Sequence, residues 1–166
     1  LKKTKIAVFG LGAVGSFVVE ALVRCGVGEF ILVDFDKVKI SNFNRQLLAL
    51  ESNLNEAKTE LAKKRILDIN ANCKVTLYTE FASEDNLAEI LKEKVDIVID
   101  AIDSLNPKLQ LLSYCCKNSI PVISSMGSGF KTDPFAVKIG DISEVNNCAL
   151  AKRLKKRLKK KNIVNG

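Results

Sequence analysis

The chain has 166 residues, 47% of them apolar, enough for about one domain with a continuous core and too many for a disordered segment. Its formal charge is +7, yet residues 152–161 hold eight Lys or Arg and no acid, and the remaining 18 basic and 19 acidic residues leave a net of −1. The basicity is therefore one C-terminal feature. No run approaches the roughly 18 apolar residues that a membrane span needs. Lys2, Lys3 and Lys5 precede only a short apolar run that breaks into glycines, which is not the pattern of a signal peptide. These features favour a cytoplasmic protein and leave membrane association of a longer form open.

Ile6–Phe9 reads as a short buried strand, Gly10–Gly15 as a turn, and Ser16–Cys25 as an apolar helix. Gly26 and Gly28 end that helix and lead into a second buried strand, Phe30–Val33, with Asp34 at its carboxyl end. Asp36–Leu50 begins polar and irregular and then turns helical. Asn55 is expected to cap a helix running to Asn70. Val75–Tyr78 reads as an outer strand, and Ser83 as the cap of a helix over Glu84–Glu93. Val95–Ile99 is the next buried strand, Asn106-Pro107 a helix start, and Pro121–Ser124 another strand. Phe135, Val137 and Ile139 alternate as a strand with one exposed face, and a last helix beginning near Asn146 or Asn147 carries the basic run. Alternating strands and helices with short turns predict an α/β fold. Its sheet is doubly wound, Rossmann-like and mostly parallel, with helices on both faces, and residues 1–166 form one domain.

The string GLGAVGS follows the first strand and opens a helix, the context in which G-x-G-x-x-G acquires meaning. Gly10 allows a tight turn, Gly12 lets the backbone approach a phosphate, and Gly15 permits close helix–strand packing. Exposed amides at the helix start then attract an anion. This motif alone does not separate NAD, FAD, S-adenosylmethionine and ATP. Asp34 ends a strand on the same edge of the sheet, where a carboxylate accepts hydrogen bonds from ribose hydroxyls. The next stretch, DFDKVKISNFNRQ at 34–46, adds Asp36, Ser41, Asn42, Asn44, Arg45 and Gln46, and Lys58 follows on the next helix. Asp100 and Asp103 end the strand Val95–Ile99. Cations, amides and carboxylates gathered at strand ends suit a triphosphate with a magnesium ion.

The five cysteines, Cys25, Cys73, Cys115, Cys116 and Cys148, are odd in number and irregular in spacing, with no C-x-x-C and no histidine, so no structural zinc is expected. Cys25 and Cys115 are expected to be buried in helices; Cys116 and Cys148 have scope for reactivity but are expected to be ordinary structural thiols.

GLGAVGS, DFDKVKISNFNRQ, Lys58 and IDAIDS at 99–104 resemble, in order, the motifs of the ThiF/HesA/MoeB adenylyltransferases, relatives of the ubiquitin-activating enzymes. The likeness covers nearly all of the chain. GAVGSFVVEAL, RCGVG, IDAIDS with Pro107 and Lys108, and KTDP followed by DIS are most similar to the branch that dehydrates threonylcarbamoyladenosine in tRNA. The resemblance implies ATP and Mg2+ as cofactors and adenylation of a carboxylate. In that branch the carboxylate is the threonylcarbamoyl group at position 37 of tRNA, which is cyclised. It further implies that Gly12 and Ala13 lie under the phosphates, Asp34 takes the ribose, and Asn42 and Arg45 meet the phosphate chain. Lys58 neutralises that chain, Asp103 handles magnesium, and Ser41 and Gln46 support. Asp36 either helps at the metal or braces its loop.

The family's other branches adenylate the C-terminus of a sulfur-carrier protein, a second reading that shares the ATP site. An NAD-dependent oxidoreductase accounts for Gly10–Gly15 and Asp34 but leaves Arg45, Lys58 and Asp103 without a task. The resemblance also implies a homodimer, and a sulfur-transfer partner under the second reading. Ala13 stands where many members have glycine. Members carry an N-terminal helix with an arginine that reaches the partner's nucleotide, and they continue beyond the position of Asn165-Gly166. The chain is therefore expected to lack family segments at both ends. The basic run at 152–161 favours tRNA as the partner, with Leu150, Leu154 and Leu158 as its docking stripe.

Overall fold

The computed structural model describes residues 1–129 and 131–163; Asn165 and Gly166 lie outside them. Five strands form one sheet: β1 (Lys5–Phe9), β2 (Glu29–Val33), β3 (Lys74–Tyr78), β4 (Ile97–Asp100) and β5 (Val122–Ser124). Their order is β3-β2-β1-β4-β5, and every neighbouring pair is parallel. The helices are α1 (Gly15–Arg24), α2 (Lys58–Ile69), α3 (Leu87–Ile90), α4 (Leu105–Lys117) and α5 (Ala149–Lys160).

Period-2 alternation in the central strands sorts their side chains into two cores. Ile6 and Val8 of β1, with Phe30 and Leu32 of β2, pack with Val19 and Val23 of α1 and Leu61 and Ile66 of α2. Ala7, Phe9, Ile31 and Val33 face the other way, onto Leu87 and Ile90 of α3 and Leu111 and Cys115 of α4. Because both faces are covered, the central strands are apolar without interruption, as parallel sheets require. A third, smaller cluster joins Leu109 and Leu112 of α4 to Leu154 and Leu158 of α5.

The chain winds outward from β1 to β3 and then returns to place β4 on the other side of β1. The strand order therefore reverses between β1 and β4, and ligands of such sheets bind in the crevice outside the carboxyl ends at that point. Gly10 sits there with φ +88°, and a Cβ on it would lie 2.8 Å from the Ala101 carbonyl oxygen beyond β4.

Several elements differ from the sequence reading. Asn55 does not cap α2; it adopts φ +66°, and the helix starts at Lys58 after Ala57. The helix expected over Glu84–Glu93 shrinks to Leu87–Ile90, because the Asn86 side chain accepts from Ser83 N and donates to the Phe81 carbonyl, competing with helical pairing upstream. α4 begins at Leu105, just before Asn106-Pro107. No strand forms at 135–139. Asp133 caps a 3-10 turn over Pro134–Ala136, and Phe135, Val137 and Ile139 stand exposed with no strand beside them among the described residues. Cys25 is exposed at the end of α1, not buried, whereas Cys115 is buried as expected. No helix of the described residues is long and apolar enough to cross a membrane.

Candidate functional site

The glycine turn joins β1 to α1. Gly10 N donates to the Val33 carbonyl at 2.8 Å, which ties the turn to the end of β2. A Cβ on Gly15 would lie 1.8 Å from the Gly10 carbonyl oxygen, so the turn closes only with glycine there. Gly12 differs, since the nearest heavy atom to its Cβ position is Gln46 Nε2 at 3.7 Å. Open space therefore faces the middle glycine. Val14, the N-cap of α1, makes no side-chain capping hydrogen bond, which leaves that end open to a ligand or to water.

Asp34 follows β2 and is 9% exposed. Its Oδ2 accepts from Leu11 N at 2.6 Å and its Oδ1 from Asp36 N at 2.8 Å. Burial pushes its carboxyl up from the ordinary value, opposed by the Leu11 and Asp36 amides and the Lys58 charge. The carboxylate thus holds the glycine turn against the β2 end while its rim reaches solvent. Phe35 and Phe81, neither singled out in the sequence, pair edge to face at 5.2 Å between centroids just past Asp34 and β3.

The 36–58 segment folds back on this edge. Lys58, 3% exposed, donates from Nζ to Asp36 Oδ2 at 3.1 Å, and its amide donates to the Asp36 carbonyl. Asp36 therefore braces the loop. Asn42 is buried and its Oδ1 accepts from Lys39 N at 3.1 Å. Gln46 Oε1 is buried with no hydrogen-bond partner among the described residues, an orphaned acceptor beside the glycine turn. Ser16 Oγ, donating to the Gly12 carbonyl and accepting from Leu47 N, stitches the loop to the turn. Arg45 is exposed, and its Nη1 donates to the Ser41 carbonyl and to Asn44 Oδ1, both at 2.8 Å. Ser41 is exposed and enters through that carbonyl. Gly12, Asp34, Asp36, Gln46 and Lys58 thus converge on one edge, whereas Arg45 lies over its own loop.

Asp103 is exposed, and its Oδ1 accepts from Ser104 Oγ at 3.2 Å. Asp100 does not share its crevice. It is fully buried, accepting at Oδ2 from Lys108 Nζ and from Ser124 Oγ, each at 2.6 Å, and at Oδ1 from Ile102 N. Lys108, also fully buried, donates further to Ser124 Oγ and the Ser125 carbonyl. Burial drives Asp100 up and Lys108 down, each opposed by the charge of the other. The network anchors the loops after β4 and β5. Its trace in the sequence was a lysine in the first turns of the helix after an acidic strand end.

A surface cavity of about 370 Å³ lined by Lys2, Val23, Arg24, Gly26, Ile69 and Asn70 lies at the opposite, amino edge of the sheet, far from these groups. Among the described residues no three His, Cys, Asp or Glu side chains gather as a metal site.

The ThiF family model matches residues 1–166. The chain belongs to the ThiF family. It is 45% identical over 166 residues to the tRNA threonylcarbamoyladenosine dehydratase of Bacillus subtilis, covering 100% of this chain and 65% of that protein. The Escherichia coli dehydratase is 42% identical over 154 residues, covering 93% of this chain and 58% of that protein. The crystal structure of E. coli TcdA in complex with ATP superposes with a TM-score of 0.93 at 40% identity, over 95% of this chain and 65% of that one. The chain thus spans somewhat under two thirds of the length of these relatives.

Proposed function

We propose that residues 1–166 form the ATP-binding unit of an adenylyltransferase that cyclises threonylcarbamoyladenosine at position 37 of tRNA. The observation that carries this reading is the open glycine turn facing Gln46 and Asp34, in a chain 40% identical to a tRNA dehydratase crystallised with ATP. The N-terminus of α1 and the Gly12 and Ala13 backbone receive the phosphates, and Asp34 takes the ribose. The orphaned Gln46 acceptor and Asn42 complete the polar lining. Lys58 supplies positive charge from within, and Arg45, an exposed side chain, reaches the phosphates by leaving the Ser41 carbonyl and Asn44 Oδ1.

The substrate carboxylate attacks the α-phosphorus and pyrophosphate leaves. An oxygen of the same threonylcarbamoyl group then attacks the activated acyl carbon, AMP leaves with the bonding electrons, and the proton released as the ring closes passes to water. A carboxylate is already ionised at pH 7, so the first step needs no general base, in keeping with a chain that has no histidine. No covalent enzyme intermediate is required. Asp103, exposed and hydrogen-bonded among the described residues by Ser104, would offer a hard carboxylate oxygen to Mg2+. When bound, the ion offsets charge on the leaving pyrophosphate. A homodimer belongs to the same proposal, and so does a cytoplasmic site of action, where tRNA is modified.

Two measurements on the full-length protein test it. Calorimetry is expected to show Mg·ATP binding at least about tenfold tighter than NAD, about 1.4 kcal/mol; equal affinities overturn the adenylyltransferase reading. Pyrophosphate exchange is expected with threonylcarbamoylated tRNA and not with a sulfur-carrier protein. The reverse pattern replaces the substrate while keeping the chemistry.

A further inference from the structure

The basic run, which the nucleotide site leaves unused, is an ordered and docked helix. Leu154 and Leu158 of α5 are buried against Leu109 and Leu112 of α4, and Ala151, not Leu150, completes the buried stripe. At 100° per residue, Lys152, Arg153, Lys156, Lys159 and Lys160 fall on the opposite side, within roughly a third of the circumference. All five are exposed, and none has an acidic partner among the described residues. Two other cations are committed to the fold: Lys155 Nζ donates to the Ser143 and Val145 carbonyls at 3.0 and 2.7 Å, and Arg157 Nη1 donates to Asn106 Oδ1.

Like charges repeated at i, i+3 and i+4 repel along a helix face. The helix dipole rewards Lys159 and Lys160 in the last turn but not Lys152 and Arg153 in the first half. The remainder of the chain is nearly neutral, so this face is a local field rather than a share of a general one. It is also placed. Asn106, which receives Arg157, lies in the first turn of α4, three residues after Asp103 on the crevice rim.

We infer that the outward face of α5 is a docking rail for the phosphate backbone of RNA, reading charge and not bases, and that it lays the strand alongside the crevice rim at Asp103. A face of four lysines and one arginine with no aromatic side chain among them suits phosphates and offers no platform for base stacking. The inference rests on the proposed reaction only in taking tRNA as the RNA concerned.

The test uses the full-length protein with Lys152, Lys156, Lys159 and Lys160 all changed to Gln. A control changes Lys3, Lys64, Lys94 and Lys117, exposed on other faces, to Gln. The probe is an unmodified tRNA transcript, titrated from low to high KCl. The α5 variant is expected to bind at least about tenfold more weakly near 0.1 M salt, with the log–log salt slope reduced by about 3, while the control stays near wild type. ATP affinity is expected to be unchanged, which reports that the variant is folded. An α5 variant with wild-type slope, or equal losses in the control, overturns the rail. So does loss of binding to anionic phospholipid vesicles with tRNA binding intact, which reassigns the face to a membrane. Because the transcript lacks the reactive group, failure here leaves the adenylation reading standing, and failure of pyrophosphate exchange leaves the rail standing.

Discussion

Lys108 Nζ and Asp100 Oδ2 lie 2.6 Å apart with both side chains wholly buried. Their side-chain hydrogen bonds tie the end of β4 to the end of β5 and the residues just beyond, through Ser124 Oγ, the Ser125 carbonyl and Ile102 N. Removing one partner leaves an uncompensated buried charge. Lys108→Met is therefore expected to cost about 3–5 kcal/mol. Asp100→Asn combined with Lys108→Met is expected to recover part of that loss. Urea unfolding of the wild type and the two variants measures it. A Lys108→Met variant as stable as wild type shows that the ammonium is not paired inside the fold.

Gly15 and Gly12 of α1's entry turn separate structure from ligand. Gly15→Ala drives a Cβ to within 1.8 Å of the Gly10 carbonyl oxygen, so a loss of about 3 kcal/mol or more is expected, since the backbone itself must move. Gly12→Ala meets only Gln46 Nε2 at 3.7 Å and is expected to leave the melting temperature nearly unchanged. It fills the space proposed for phosphate, so ATP affinity is expected to fall at least about tenfold. Full ATP affinity in a folded Gly12→Ala protein contradicts the placement of the phosphates.

The inner sheet was legible because β1, β2 and β4 are short apolar runs bounded by glycine or acid, and each falls within two residues of its expected place. The 135–139 segment misled because alternation records which faces a strand has, not whether a partner strand lies beside it. Asp34 and Lys58 were legible at the sheet edge because strand ends of a doubly wound fold point to one crevice. Asp100 was misplaced there for a specific reason. Its neutralising lysine sits eight residues on, across a turn, and distance in sequence hides a contact that packing creates.

Glu20 joins α1 to α2. Its carboxylate accepts from Arg65 Nε and Nη2 at 2.9 and 2.8 Å and from Arg24 Nε at 2.7 Å. The Arg65 bonds lead in holding its carboxyl at about 2, below 4.5, against an opposing effect of burial. A carboxyl lowered in the folded state contributes stability that is present above its unfolded value and is lost as pH falls from 4.5 toward 2. The shift sets an upper bound of about 3 kcal/mol. Arg24 and Arg65 are 57% and 46% exposed, and water around them reduces the contribution to about 1 kcal/mol. Glu20→Gln is expected to lose that amount at pH 7 and to flatten the acid limb of the stability curve. Parallel acid limbs in the two proteins remove Glu20 as the cause.

Asp103 offers the sharpest separation of chemistry from fold. It is exposed, and its one hydrogen bond among the described residues comes from Ser104, its neighbour, so Asp103→Asn is expected to leave the core packing in place. If its carboxylate holds Mg2+ against the leaving pyrophosphate, the loss falls where charge develops and not where ATP first docks. Turnover by the full-length variant is then expected to fall about 100- to 1000-fold, with the KM for ATP changed less than about threefold and the thermal unfolding curve unchanged. A rise in KM with kcat intact places Asp103 in ground-state binding instead. Turnover equal to wild type removes it from the reaction and leaves the metal to another ligand on the same edge of the sheet.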